Sequence, residues 1–220
     1  MNLNEFKKKA AWAALDYISP GTIIGIGTGS TVFYFIEALS TIKHLISGVV
    51  SSSISSTNLL KNNGINNILH LNDFNSLEVY IDSADEINNN MQMIKGGGAA
   101  LTKEKIIAAI AKKFICIIDE TKKVNILGSF PLPIEILPIA LSFILNEIIK
   151  LGGKPKVRKN VITEHGNIII DIYNLNIYDP IAIEKKISLL PGVVTVGLFA
   201  LRGADIILMG TKDNVKIIEK

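Results

Sequence analysis

The chain has 220 residues, 48% hydrophobic and 20% charged, enough apolar side chain to fill a sizeable core and to exclude intrinsic disorder. That length suits one large domain or two small ones. Lysine and arginine total 23 against 20 acidic residues, a net charge of +3 with the basic residues scattered apart from Lys7, Lys8 and Lys9, so nucleic acid is not an expected partner.

Leu3, Phe6, Ala10, Ala13, Ala14 and Tyr17 recur at helical spacing, and Ser19, Pro20 and Gly21 stop that helix. Asp16 interrupts the apolar stretch behind the first lysines, which does not fit a secretory signal. Residues 22–26 form a β-branched run ending in glycines, and 32–39 return to helical spacing, giving strand, Gly-rich turn and helix. The order continues with a strand over 49–51, a helix over 57–61 closed by Gly64, and strands near Ile68 and over 79–82. A helix over 101–112 and a strand over 114–119 follow. The lone cysteine, Cys116, lies in the apolar run 114–118 as a buried small hydrophobe, and it excludes an intrachain disulfide and a cysteine-built zinc site. Alternating strands and helices predict a parallel sheet covered on both faces.

After Gly128 the order becomes βαββαβ, with helices over 138–151 and 180–190, a hairpin marked by His165, Gly166 and Asn167, and a last strand over 193–199. The strand-like tail, 204–209 and 215–218, is expected to return to the first sheet. The expected fold is therefore α/β, with a Rossmann-like parallel-sheet domain of residues 1–127 completed by 203–220, and a smaller ferredoxin-like βαββαβ domain of 128–202. The longest uncharged apolar run, 136–145, holds Pro138 and falls short of the roughly 18 residues of a membrane span, so a cytoplasmic protein without membrane association is expected.

Ligands of open α/β sheets bind beyond the carboxyl ends of the strands, and polar segments fall there. They are Gly27, Thr28, Gly29, Ser30, Thr31; Ser51, Ser52, Ser53; Asp82, Ser83, Ala84, Asp85, Glu86; and Lys122 with Lys123. In the glycine-rich turn 25–31, backbone N–H groups and the hydroxyls of Ser30 and Thr31 can cradle a phosphate; the alternative is a plain strand-to-helix turn with Ser30 as N-cap. It is not a dinucleotide fingerprint, because the third glycine comes one residue early, and no Walker A lysine follows. Asp82, Asp85 and Glu86 place three carboxylates within five residues, and their repulsion needs offsetting by a cation, a metal or a ligand hydroxyl, with Lys95 the cation at hand. The alternative there is an acidic helix N-terminus. A magnesium site would want Asp-x-Asp, and His44, His70 and His165 are spread over different elements, so no metal is expected. Gly96, Gly97 and Gly98 remove every Cβ from a stretch of backbone, which suits a ligand passing close by. They lead into the helix of Glu104, whose positive end favours the carboxylate a general base requires, although helix glutamates often serve solubility alone.

Gly-Ile-Gly-Thr-Gly-Ser-Thr (25–31), Asp-Ser-Ala-Asp-Glu-Ile (82–87), Lys-Gly-Gly-Gly-Ala-Ala-Leu-Thr-Lys-Glu-Lys (95–105) and Pro-Gly-Val-Val-Thr-Val-Gly-Leu-Phe-Ala (191–200) together resemble the A-type ribose-5-phosphate isomerases. The similarity runs nearly end to end and includes Trp12 and residues 91–94; the family often carries Gly where Ser83 stands. The resemblance implies metal-free, cofactor-free interconversion of D-ribose 5-phosphate and D-ribulose 5-phosphate, in the nonoxidative pentose phosphate pathway. It makes Glu104 the proton acceptor and Asp82, Asp85 and Lys95 the other active-site residues. Thr28, Gly29, Ser30 and Thr31 with Lys122 match the sugar-phosphate contacts, Lys7 is a further one, and Ser83, Ala84, Gly96, Gly97 and Gly98 fall among the substrate-binding residues. A homodimer or a pair of dimers is implied. Two rivals stay open, a sugar-phosphate-sensing module that binds without turnover and a related amino-sugar-phosphate isomerase or deaminase.

Overall fold

The computed structural model describes residues 2–220, and the chain divides into two compact units. One runs to Ala84 and includes 106–122 and 204–220; the other holds 85–105 and 123–203. In chain order the strands are β1 Ile23–Ile26, β2 Gly48–Ser51, β3 Leu77–Asp82, β4 Glu86–Ile87, β5 Met93–Ile94, β6 Ala111–Asp119, β7 Leu132–Ile136, β8 Lys154–Ile162, β9 Ile168–Tyr173, β10 Val193–Val196, β11 Leu198–Phe199, β12 Ile206–Gly210 and β13 Val215–Glu219. The α-helices are α1 Leu3–Ala13, α2 Ser30–Ser40, α3 Ile54–Asn62, α4 Leu101–Ile110, α5 Leu141–Lys150 and α6 Pro180–Ser188.

The first unit is built on a six-stranded sheet of order β13-β12-β6-β3-β1-β2. Its strands are parallel except β13, which pairs antiparallel with β12 at the edge. The inner strands are continuous apolar runs with both faces covered: Ile24 and Ile26, Tyr80 and Ile81, and Ile115 to Ile118 are all buried. Phe35, Ile36 and Leu39 of α2 and Ala10 and Ala14 pack with Ile24, Ile81, Ile117 and Leu208 in one core. The tail thus joins the first sheet, with β12 beside β6. Chain order reverses at β1, which has β2 on one side and β3 on the other, so the carboxyl ends of β1 and β3 flank a topological switch point. Cys116 is buried and free.

The helix expected over 101–112 ends at Ile110, and strand β6 begins at Ala111. Pairing of Ala111 and Lys113 with Leu77 and Val79 of β3 overrides the helix preference of alanine and lysine.

The second unit has the order β7-α5-β8-β9-α6-β10 and a four-stranded antiparallel sheet of order β10-β7-β9-β8, which is the ferredoxin-like arrangement. Ile134, Ile136, Ile170 and Ile172 from the sheet meet Ile144 and Ile148 of α5 and Ile187 of α6. The strand expected over 193–199 breaks at Gly197: β10 stays in this sheet, and β11 leaves for a three-stranded sheet of order β11-β5-β4. A Cβ at Gly197 would lie 2.4 Å from the Lys95 carbonyl oxygen and 2.6 Å from that of Pro133, so only glycine fits. These short strands also explain why the second unit differs from the expected 128–202. Residues 85–105 join it through β4 and β5, and Lys123 bridges Ile87 in parallel.

Glu86 lies in a strand, so Asp85 and Glu86 do not open a helix, and the acidic helix N-terminus is set aside. The Glu86 carboxylate accepts the Gly128 N–H at 2.7 Å and the Phe130 N–H at 2.5 Å, which makes it a brace for that loop. Among the described residues no helix is long and apolar enough to cross a membrane.

Candidate active site

The turn after β1 is shaped by what lies behind it. A Cβ on Gly27 would come within 1.9 Å of the Asp82 carboxylate, so glycine lets β1 and the end of β3 touch. Gly29, at φ +127°, is the N-cap of α2, and Ser30 and Thr31 are its first helical residues; the N-cap expected at Ser30 thus falls one residue earlier, where the left-handed backbone requires glycine. The leading N–H groups of α2 have no carbonyl of their own helix to bond, which leaves a donor cluster at the positive end of the dipole. The Lys7 ammonium of α1 donates to the Ser30 hydroxyl at 3.1 Å, adding a cation to that cluster.

The Thr28 hydroxyl lies within 2.7 Å of the Ser52 hydroxyl and 2.8 Å of that of Ser53, while Ser56 donates to the Gly27 carbonyl at 2.7 Å. The serines after β2 therefore hold the turn from behind. Asp82 is fully buried and accepts the Thr28 N–H at 3.0 Å, the Ser83 N–H at 2.7 Å and the Tyr80 hydroxyl. Its carboxylate ties the turn after β1 to the loop after β3. Ser83 donates to the Thr28 carbonyl at 3.4 Å, and Ala84 is buried. Lys122 ends the 3-10 turn Glu120–Lys122 after β6, and among the described residues it forms no hydrogen bond or ion pair with residues 27–31.

The second unit carries Asp85, Lys95 and Glu104, the residues expected to perform the acid–base chemistry. Lys95 follows β5 directly, its N–H donating to the Gly197 carbonyl at 2.8 Å, and Glu104 stands in the first turn of α4. The Lys95 ammonium and the Glu104 carboxylate lie 3.2 Å apart with side chains only 3% and 4% exposed. Lys95 also sits 5.5 Å from the centre of the Phe199 ring. Asp85, half-buried, accepts the Gly97 N–H at 2.8 Å, and a Cβ on Gly97 would approach that carboxylate to 2.7 Å. Of the three glycines only Gly96 takes a positive φ, +106°; Gly97 and Gly98 are exposed backbone.

Three supporting residues escaped the sequence reading. Arg158 of β8 donates to the Gly96 and Gly97 carbonyls at 3.0 and 3.1 Å. Glu135 of β7 is fully buried and accepts from Thr102 at 2.5 Å, Thr163 at 2.8 Å and Asn167 at 2.8 Å, so it anchors the start of α4 two residues before Glu104. Lys105 pairs with Glu184, donates to the Leu198 carbonyl and lies 4.5 Å over Phe199; burial pushes its pKa below the ordinary 10.5, with Glu184 opposing the shift. Gly197 had a visible signal, a glycine inside a strand pattern. Arg158 and Glu135 had none, since an arginine or glutamate in a strand is usually a solvated side chain.

The sequence profile of Ribose 5-phosphate isomerase A (phosphoriboisomerase A) matches residues 48–214. The chain is 74% identical over 219 residues to the Ribose-5-phosphate isomerase A of Buchnera aphidicola subsp. Schizaphis graminum (strain Sg), covering 100% of both. It is 65% identical over 218 residues to that of Buchnera aphidicola subsp. Baizongia pistaciae (strain Bp), covering 99% of this chain and 100% of the other. Ribose 5 phosphate isomerase A from Neisseria gonorrhoeae superposes with a TM-score of 0.97 at 43% identity, over 99% of this chain and 97% of that one. A D-ribose-5-phosphate isomerase in complex with phospho-erythronic acid superposes with a TM-score of 0.94 at 39% identity, over 100% of each chain. Motifs, folds of both units and full-length identity agree, and the chain belongs to the ribose 5-phosphate isomerase A family.

Proposed function

We infer that the chain interconverts D-ribose 5-phosphate and D-ribulose 5-phosphate through an enediolate, with Glu104 carrying the proton. The observation that carries this assignment of roles is the buried Lys95–Glu104 pair, a base and a fixed positive charge 3.2 Å apart, in a member of this isomerase family. The N–H groups that open α2, the Ser30 hydroxyl and the Lys7 ammonium hold the phosphate, with Thr28, Gly29 and Thr31 shaping the turn and Lys122 a further cation. Asp85 opens the furanose. It takes the proton of O1–H as C1=O1 forms and the C1–O4 bond breaks, and it passes that proton to O4, so that Asp85 ends the step ionised as it began. Glu104 then removes the proton from C2, and the electron pair passes through a C1–C2 double bond to O1. The enediolate oxygen is stabilised by Lys95 and by the backbone N–H of Gly98, while the Gly97 N–H holds the Asp85 carboxylate. Moving the O2 proton to O1 and returning the Glu104 proton to C1 leaves the carbonyl at C2, so the step is balanced without a net proton. Asp82, whose two oxygens already accept three hydrogen bonds, serves by holding the turn and the Ser83–Ala84 loop. The relative that binds phospho-erythronic acid, a phosphorylated polyhydroxy acid, supports a substrate of that size and charge.

The chemistry asks for no metal or cofactor, because Lys95 supplies the charge. Incubating the purified chain with D-ribose 5-phosphate, with and without a chelator, should give ketose at one rate in both. Binding without ketose would favour a sensing module, loss of activity to the chelator would overturn the metal-free step, and faster turnover of glucosamine 6-phosphate would favour the amino-sugar enzymes. A homodimer or pair of dimers in the cytoplasm, as the family resemblance implies, completes the proposal. Sedimentation as a monomer at all concentrations would refute the oligomer.

A further inference from the structure

We propose that Arg158 is a positioning residue for this reaction, aiming the N–H groups of the triple-glycine strip by gripping its carbonyls. The inference rests on the isomerase reading above.

Arg158 uses its whole fork. Nε donates to one Asp171 oxygen at 2.9 Å, Nη2 to the other, and Nη1 to the Gly96 and Gly97 carbonyls at 3.0 and 3.1 Å. The planar guanidinium is thus oriented by a bidentate carboxylate on the neighbouring strand before it meets the strip. In a trans peptide the C=O and the next N–H point in opposite directions. Holding the Gly96 carbonyl therefore turns the Gly97 N–H away from the arginine, and there it meets Asp85 at 2.8 Å. Holding the Gly97 carbonyl likewise turns the Gly98 N–H away from the arginine.

Besides Arg158 the strip is held by the Asp85 carboxylate on the Gly97 N–H at 2.8 Å and by the Ala99 N–H on the Gly96 carbonyl at 3.0 Å, and neither of these fixes the Gly97 carbonyl. Three glycines have the widest backbone freedom of any sequence, and Gly97 and Gly98 are exposed, with no side chains to pack. A donor that stabilises developing negative charge is useful only if it is already aimed when the charge appears. The sequence thus makes the strip free of Cβ atoms, so that substrate and Asp85 can approach it, and recovers its order through Arg158. Lysine could supply the charge but not the fork, because one ammonium cannot hold two successive carbonyls and a bidentate carboxylate in fixed geometry.

The test compares the full chain with Arg158→Lys, Arg158→Met and Asp171→Asn, the last leaving the arginine in place and loosening its orientation. Deleting an oxyanion donor typically costs about 10² to 10³ in kcat, so misaiming one should lower kcat at least about tenfold, with KM for ribose 5-phosphate changed less than about threefold. Amide hydrogen exchange at Gly97 should accelerate in the same variants. A purely structural arginine would lower the melting temperature and leave kcat of the folded variants at the parental value, which would overturn the proposal, as would unchanged exchange at Gly97. If Arg158→Met does not fold, Asp171→Asn and Arg158→Lys decide. An inactive parent chain would instead overturn the isomerase reading, and the exchange measurement would still test the grip.

Discussion

Neutralising Glu104 should damage stability and catalysis together, and a second substitution should separate them. Lys95 and Glu104 lie 3.2 Å apart and buried, so at an effective dielectric of about 20 their attraction amounts to about 5 kcal/mol. Removing one charge of such a pair costs about 3–5 kcal/mol, because the other is left in a low-dielectric site. Glu104→Gln keeps the shape and an acceptor oxygen, so about 3 kcal/mol is expected by urea denaturation. Its kcat should fall by at least about 10², with KM little changed, since a positioned base acts in the transition state. In Lys95→Met/Glu104→Gln neither charge remains, and most of the lost stability should return while activity stays absent. Denaturation midpoints and initial rates on the four proteins complete the cycle. Purely additive stability losses would show that the pair is not energetically coupled, and full activity in Glu104→Gln would remove it from the reaction.

Other parts of the site respond differently. Ser30→Ala, which removes the hydroxyl next to Lys7, should raise KM about three- to tenfold with kcat nearly unchanged, because a phosphate bound there would be held equally in ground and transition states. A kcat loss without a KM change would contradict the phosphate role. Gly27→Ala drives a Cβ against the buried Asp82 carboxylate, which Tyr80, Thr28 and Ser83 hold in place; it should cost about 2–4 kcal/mol and raise KM, measured by thermal denaturation and kinetics. Because the folded-state pKa of Lys105 lies below its unfolded 10.5, the unfolded chain binds the extra proton. The penalty is fully present below the lowered pKa and is relieved as pH rises through it towards 10.5. The melting temperature of the parent should therefore gain on that of Lys105→Gln as the solution becomes alkaline, and a gap that narrows instead would reverse the sign of this account. Tyr17 acts oppositely, since burial raises its pKa above 10.0 and stability is lost as pH rises past that value.

What could be seen in the sequence was local. Glycine at 25, 27 and 29 between a β-branched run and a helical one locates a strand-turn-helix without any tertiary knowledge, and the apolar strands ending in serines or aspartates place polar groups at one edge of a sheet. The βαββαβ order survived because each hairpin and helix carries its own turn chemistry. Failures came where distant partners decide. Ala111 and Lys113 become strand because β3 pairs with them, and 193–199 breaks because Gly197 must pass between the Lys95 and Pro133 carbonyls. The carboxylate cluster after β3, the nearby lysine and the glycines before α4 mark Asp85, Lys95 and Glu104 as candidates, and resemblance assigns their roles, but the side chains that support them come from β7 and β8, far along the chain, and a strand pattern gives Glu135 and Arg158 no distinguishing mark.

If one carboxylate moves a proton between adjacent carbons of the sugar, solvent hydrogen must enter at both. Equilibrating the protein with D-ribose 5-phosphate in deuterium oxide and analysing both sugars by proton NMR tests it most directly. Deuterium should enter C1 of ribulose 5-phosphate and C2 of recovered ribose 5-phosphate with the parent chain, and both incorporations should vanish with Glu104→Gln. Undiminished labelling by that variant would contradict the assignment, and turnover that never admits solvent deuterium would point to direct hydride transfer between the two carbons.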